Sequence, residues 1–91
     1  MADLTVVQVA QLARRELSDL TGLEAESVTS LEPHDDGTWK ATVELLELSR
    51  IPDTDDVLAT YEAVVDASGE LLGFHRVRRY VRSRSLQDRG S

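Results

Sequence analysis

Val6, Val9, Ala10, Ala13, Leu17 and Leu20 recur at spacings of three and four, which places them on one face of an amphipathic helix. Thr5 can accept from the free amides at the helix start while Gln8, three residues on, reaches back, and Gly22 supplies a residue tolerant of the left-handed stop. A helix over about 6–20 is predicted, with Arg14, Arg15, Glu16 and Asp19 mainly on its wet side. From residue 26 onward the apolar period falls to two and β-branched residues gather between polar turns, the pattern of consecutive antiparallel strands. The first strand is predicted at about Ser27–Glu32, followed by a turn over His34, Asp35, Asp36 and Gly37 in which Asp36 and Gly37 best tolerate positive φ. The second, about Thr38–Leu48, sets Trp39, Ala41, Val43 and Leu45 on one face and Lys40, Thr42 and Glu44 on the other. Its alternation slips at the adjacent Leu45 and Leu46, which predicts a β-bulge or a second covered face.

Pro52 cannot donate to a ladder, so Ser49–Asp56 reads as a polar connection between strands. Val57, Ala59, Tyr61, Ala63 and Val65 then alternate with Leu58, Thr60, Glu62, Val64 and Asp66 in a third strand with apolar residues on both faces. A short hairpin over Asp66–Gly69 leads into a fourth strand, Leu71 to about Val81, and the sheet is expected to carry Trp39, Val43, Tyr61 and Phe74 in or near its packed face. Residues 83–91 have three charges and one apolar residue, Leu86, and predict a frayed tail. The expected fold is α+β: one domain over 1–91, with an N-terminal amphipathic helix packed on a four-stranded, mainly antiparallel sheet spanning about 26–82.

With 91 residues there is room for one small core, and 41% apolar residues suffice to form it. The apolar runs are far shorter than the roughly 20 residues needed to span a bilayer. No cationic, apolar leader opens the chain, and zero cysteines suit a reducing compartment, so the expected location is the cytoplasm, without membrane association. Charge is distributed unevenly within the net −7: residues 1–75 hold sixteen acids and four bases, a balance of −12, whereas residues 76–91 hold six arginines and one aspartate, a balance of +5. Such segregation folds a basic strand back onto the chain's own acids or presents two oppositely charged surfaces to partners.

Residues with a chemical signature are scarce. The five glycines fit neither a phosphate-binding loop nor a nucleophile elbow. Asp53, Asp55 and Asp56 resemble the opening of a calcium loop, but Leu58 stands where the turn glycine is required and Val64 where the bidentate carboxylate is. His34 and His75 have no partner at zinc-site spacing, and carboxylate pairs such as Glu44 and Glu47 work as acid and base only inside a pocket. No catalytic residue, metal or cofactor is expected, and the chain is read as a non-enzyme. The run Arg76-Val77-Arg78-Arg79-Tyr80-Val81-Arg82-Ser83-Arg84 pairs arginine with an aromatic, chemistry that can hold phosphates and stack on bases. The acidic remainder would repel a polyanion, which favours pairing with Glu44, Glu47, Glu62 and the Asp cluster, or with an acidic protein partner.

The residues Trp39, Val43-Glu44-Leu45-Leu46-Glu47-Leu48, Arg50-Ile51-Pro52-Asp53-Thr54, Asp56-Val57-Leu58-Ala59-Thr60-Tyr61-Glu62, Gly69-Glu70-Leu71, Gly73-Phe74 and Arg79-Tyr80, in this order, resemble the gas vesicle accessory protein O family. The likeness extends over about residues 7–84, and its specific part is the Val-Glu-x-x-Glu strand with Arg-Ile-Pro-Asp, followed by Tyr-Glu and Arg-Tyr. Members often carry a longer acidic extension before the helix, which this sequence does not contain. The resemblance implies a non-enzymatic cytoplasmic protein needed to assemble gas vesicles, with the shell subunit and other accessory proteins as partners. The candidate contact residues are Glu44, Glu47, Arg50, Ile51, Pro52, Asp53, Arg76, Arg78, Arg79 and Arg82. Ile51 offers an apolar anchor among charges beside the stiff Pro52. Two other classes stay open on the residues alone: a nucleic-acid-binding regulator using residues 76–84, and a small inhibitor or ligand-binding domain using the concave side of the sheet.

Overall fold

A capping box begins the helix α1 (Val6–Thr21): the Gln8 amide donates to the Thr5 hydroxyl at 3.2 Å and the Thr5 amide to Gln8 Oε1 at 2.9 Å. Gly22 ends it in the left-handed conformation, φ +74°, with its amide returning to the Ser18 carbonyl. The computed structural model describes residues 5–83, so the tail expected over 83–91 lies, but for Ser83, outside the described residues. Four strands follow, β1 (Glu24–Pro33), β2 (Trp39–Leu48), β3 (Val57–Val65) and β4 (Leu71–Val81), with one 3-10 turn at Asp53–Asp55. They pair in chain order as an antiparallel meander, β1-β2-β3-β4, with α1 on one face. The expected α+β architecture is the one found; β1 begins three residues earlier than its sequence pattern marked.

The two tight hairpins repeat one device. His34 donates to the Thr38 carbonyl and Gly37 to that of His34; likewise Asp66 donates to the Glu70 carbonyl and Gly69 to that of Asp66. Gly37 and Gly69 alone take positive φ in these turns, at +88° and +89°, which removes the steric penalty a Cβ would bring. Asp36, expected to share that role, has negative φ and instead accepts from the Thr38 amide and hydroxyl. Asp66 does the same for Ser68 and Glu70. Hydrogen bonds to the charged carboxylates lower both aspartate pKa values.

Val9, Ala13 and Leu17 of α1 close over Ala25, Ala41, Val43, Leu45, Ala63 and Val65, all buried. Full burial of a side chain the size of Leu17 or Leu45 contributes roughly 1.5–3 kcal/mol. Trp39 and Tyr61 sit on this face, half-buried, at the rim of the core, and Phe74 reaches the same face but is exposed. The Arg14 guanidinium donates to the Ala25 carbonyl at 3.1 Å and ties the helix to β1. The slip expected near Leu46 is a bulge one residue later: Leu46 pairs with Leu58 and Leu48 with Val57, leaving Glu47 without a partner in the register. Leu46 and Leu58 lie on the sheet face opposite the helix, so the second covered face is also present.

Candidate functional site

Adjacent residues on a strand point to opposite faces, so the arginine run of β4 is divided by the pleat. Arg79 pairs with Ala59 and Arg76 with Tyr61, positions on the helix side; Arg78 pairs with Thr60 and Tyr80 with Leu58, positions on the open side. Val77, squeezed out by a register shift, is what brings Arg76 onto the same side as Arg79. Three separate clusters result, each built around carboxylates.

On the helix side, Glu47 stands in the β2 bulge and is gripped by Arg76 Nη1 at 3.1 Å and Arg79 Nε at 2.8 Å. Its side chain is only 12% exposed, against 51% and 55% for the two arginines. The carboxylate is committed to the clamp, while both guanidiniums keep donors free for water or a partner.

On the open side, Glu44 gathers donors from two strands. The Tyr80 hydroxyl donates to it at 2.5 Å and the Thr60 hydroxyl at 2.9 Å, while Arg78 Nε donates to Thr60 Oγ1 at 3.4 Å. The Arg78 guanidinium lies 4.6 Å from the centre of the Tyr80 ring, a cation–π distance. This canopy, together with β-sheet neighbours, leaves Leu58 4% and Thr60 7% exposed on a face no helix covers. Burial, then the hydrogen bond to Glu44, raises the Tyr80 phenol to about 12.

At the end of the sheet, Arg82 bridges Glu26 at 2.7 Å and Asp56 at 3.2 Å, and these anions raise its pKa further. Asp56 is buried; its other oxygen accepts the Arg50 amide at 2.8 Å, and its carbonyl accepts the Arg82 amide. The connection between β2 and β3 is therefore pinned at its root. Its tip is free: Ile51, Pro52 and Asp53 are exposed, Ile51 completely, and the Ile51–Pro52 bond is cis.

Of the ten sequence candidates, the structure joins Glu47 with Arg76 and Arg79, sets Glu44 beside the Thr60–Arg78 pair, ties Arg50 and Arg82 through Asp56, and leaves Ile51, Pro52 and Asp53 apart on the loop. Glu62, proposed as an arginine partner, instead meets Lys40 at 3.5 Å and His75 at 3.3 Å. Within the Asp cluster named as an arginine partner, Asp56 is the one that meets Arg82, whereas sequence reasoning missed Glu26 and Thr60 as partners of the arginines and the Tyr80 hydroxyl as a donor to Glu44. The period-two placement of Arg78 and Tyr80 was the available signal for a separate open-side set. Among the described residues no cluster of three or more His, Cys, Asp or Glu could hold a metal ion, and no helix is long and apolar enough to cross a membrane.

The family model described as "Gas vesicle synthesis protein GvpO" matches residues 1–86. The chain is 54% identical over 79 residues to "Gas vesicle protein O" of Streptomyces sp. strain CB03234, covering 87% of this chain and 61% of that relative. It is 34% identical over 70 residues to "Gas vesicle protein O" of Haloferax mediterranei, covering 77% of this chain and 50% of the relative. "Gas vesicle protein O1" of Halobacterium salinarum gives 34% identity over 70 residues, with 58% of its length covered. The chain thus spans between half and about three-fifths of these relatives. No solved structure matches.

Proposed function

The chain belongs to the gas vesicle synthesis protein GvpO family, and from that premise we propose that it serves gas vesicle assembly in the cytoplasm as a non-enzymatic accessory protein, acting through contacts with the shell subunit or other accessory proteins. The observation that carries the contact mechanism is the placement of charge. On a chain of net −7, the half-exposed Arg76 and Arg79 stand on one strand and share a single carboxylate among the described residues. Arg78 and Arg82, in contrast, are engaged with the protein's own Thr60, Tyr80, Glu26 and Asp56. This division supports an acidic protein partner over a polyanion, because a phosphate backbone is held by a continuous basic stripe.

The exposed Ile51-Pro52-Asp53 tip is a second contact candidate, an apolar anchor in a charged rim on a root fixed by Asp56. The test is complementation of a strain lacking its own copy. Wild-type chain should restore vesicle formation, and Ile51→Ser with Asp53→Lys should lower vesicle number at unchanged protein level and unchanged melting temperature. Failure of the wild-type chain to restore vesicles would refute the assembly role. Normal vesicle numbers from the double variant would make the loop a plain linker.

A further inference from the structure

The helix α1 leans most on β1, less on β2 and least on β4. On the helix side Ala59, Ala63 and Val65 of β3 are buried, and the exposed part of the sheet lies along β4. There Phe74 is 42% exposed, with its ring 6.2 Å from that of Tyr61. Leu72 and Val77, which have no partner in the β3–β4 register, stand 58% and 50% exposed along the same strand. Beside them Arg76 and Arg79 converge on Glu47, two positive charges against one negative. Apolar side chains flanked by guanidiniums with spare donors make a surface that is costly to leave wet and selective for carboxylates.

We propose that this strip is the seat of an amphipathic helix from another protein, one whose apolar stripe rests on Phe74, Leu72 and Val77 and whose flanking Asp or Glu residues meet Arg76 and Arg79. The inference rests on the protein-contact reading above and names the chemistry of the partner. A helix fits better than an added strand. A second helix beside α1 would complete the two-layer packing, whereas β4 carries two register shifts in its ladder with β3, and a strand bulged in this way is a poor template for a fifth strand. A second copy of the chain fits poorly. Two strips related by a two-fold axis would set four arginines against two glutamates, and the outer side of α1, with Arg14 and Arg15 beside Glu16 and Asp19, has no negative surplus to offer.

The test places p-benzoyl-phenylalanine at position 74 of the full chain, in cells making the complete set of vesicle proteins and depending on this chain for vesicle formation. After irradiation the crosslinked peptide is sequenced and its conformation probed by proline substitution within it. The expected result is one helical segment of a different protein with acidic residues flanking an apolar stripe. Arg76→Glu with Arg79→Glu should cut the crosslink at least tenfold, and changing the partner's acidic residues to lysine should restore it. Because the double reversal could unsettle Glu47, Leu72→Ser serves as a second variant: at unchanged melting temperature it too should lose most of the crosslink. Crosslinking to another copy of this chain, to an extended strand, or to nothing would overturn the proposal. Since the tagged cells still need the chain for vesicles, any of those results leaves the assembly role standing, whereas vesicles forming without the chain would remove that role itself.

Discussion

The two faces of the sheet are covered by different materials. On one, Val9, Ala13 and Leu17 of a helix close an aliphatic core; on the other, Tyr80, Arg78 and Glu44 form a canopy of side chains that belong to the sheet itself. The third strand sits between the two, and its first four residues, Val57 to Thr60, are buried although they alternate between the faces. Apolar burial is non-directional and tolerates rearrangement, whereas a hydrogen-bonded canopy holds only while each donor finds its acceptor. The helix side therefore supplies most of the stability, and the open side fixes where the fourth strand lies against the third.

That division can be broken by substitution. Leu45→Ala removes a fully buried side chain beneath the helix and should cost about 2–5 kcal/mol in urea unfolding, a large share of the whole for so small a domain. Glu44→Ala strips the acceptor from the Tyr80 and Thr60 hydroxyls and should cost about 1–3 kcal/mol, with protection from hydrogen exchange lost mainly in β4. Equal costs for the two variants would show that the canopy carries as much weight as the core. Thr5→Ala breaks the capping box at one end of α1 and should cost about 1 kcal/mol without changing exchange in β4.

Titration separates the faces without touching the core. The Tyr80 phenol is raised in the folded state above its unfolded value of 10, to about 12. Its contribution is therefore complete below pH 10 and is lost as pH rises from 10 toward 12. Alkaline unfolding followed by circular dichroism should show this loss in the wild type, and Tyr80→Phe should remove that part of the pH dependence. The smallest effect is expected at Ile51, fully exposed on its loop: Ile51→Ser should change stability by less than about 0.5 kcal/mol.

The sequence showed the helix, both of its caps, the four strands and the two glycine turns, because each depends on residues close together in the chain. Glu47 and the Asp cluster were named as companions of the arginines, but which arginine meets which was not legible, for a reason that lies in single residues. A plain alternation puts Arg76, Arg78 and Tyr80 on one face; the register shift at Val77 sends Arg76 to the other, where Arg79 and Glu47 are. A bulge depends on how two strands meet and leaves little trace in the local pattern. Nor could spacing reveal that Asp56, at the end of the polar connection, is the aspartate of its cluster that is buried and holds both Arg50 and Arg82.

The order of the strands has a consequence for the birth of the molecule. In a meander every strand pairs with the one made just before it, so contacts are local and each hairpin can close as soon as its second arm emerges. During synthesis the helix and the first three strands can assemble while β4 is still within or just outside the ribosome, with Leu58 and Thr60 uncovered. Only when Arg78 and Tyr80 arrive does that surface close. The end of β4 thus seals the nascent domain, and a chain cut short before Tyr80 should remain a target for chaperones and proteases even though its helix and most of its sheet are complete.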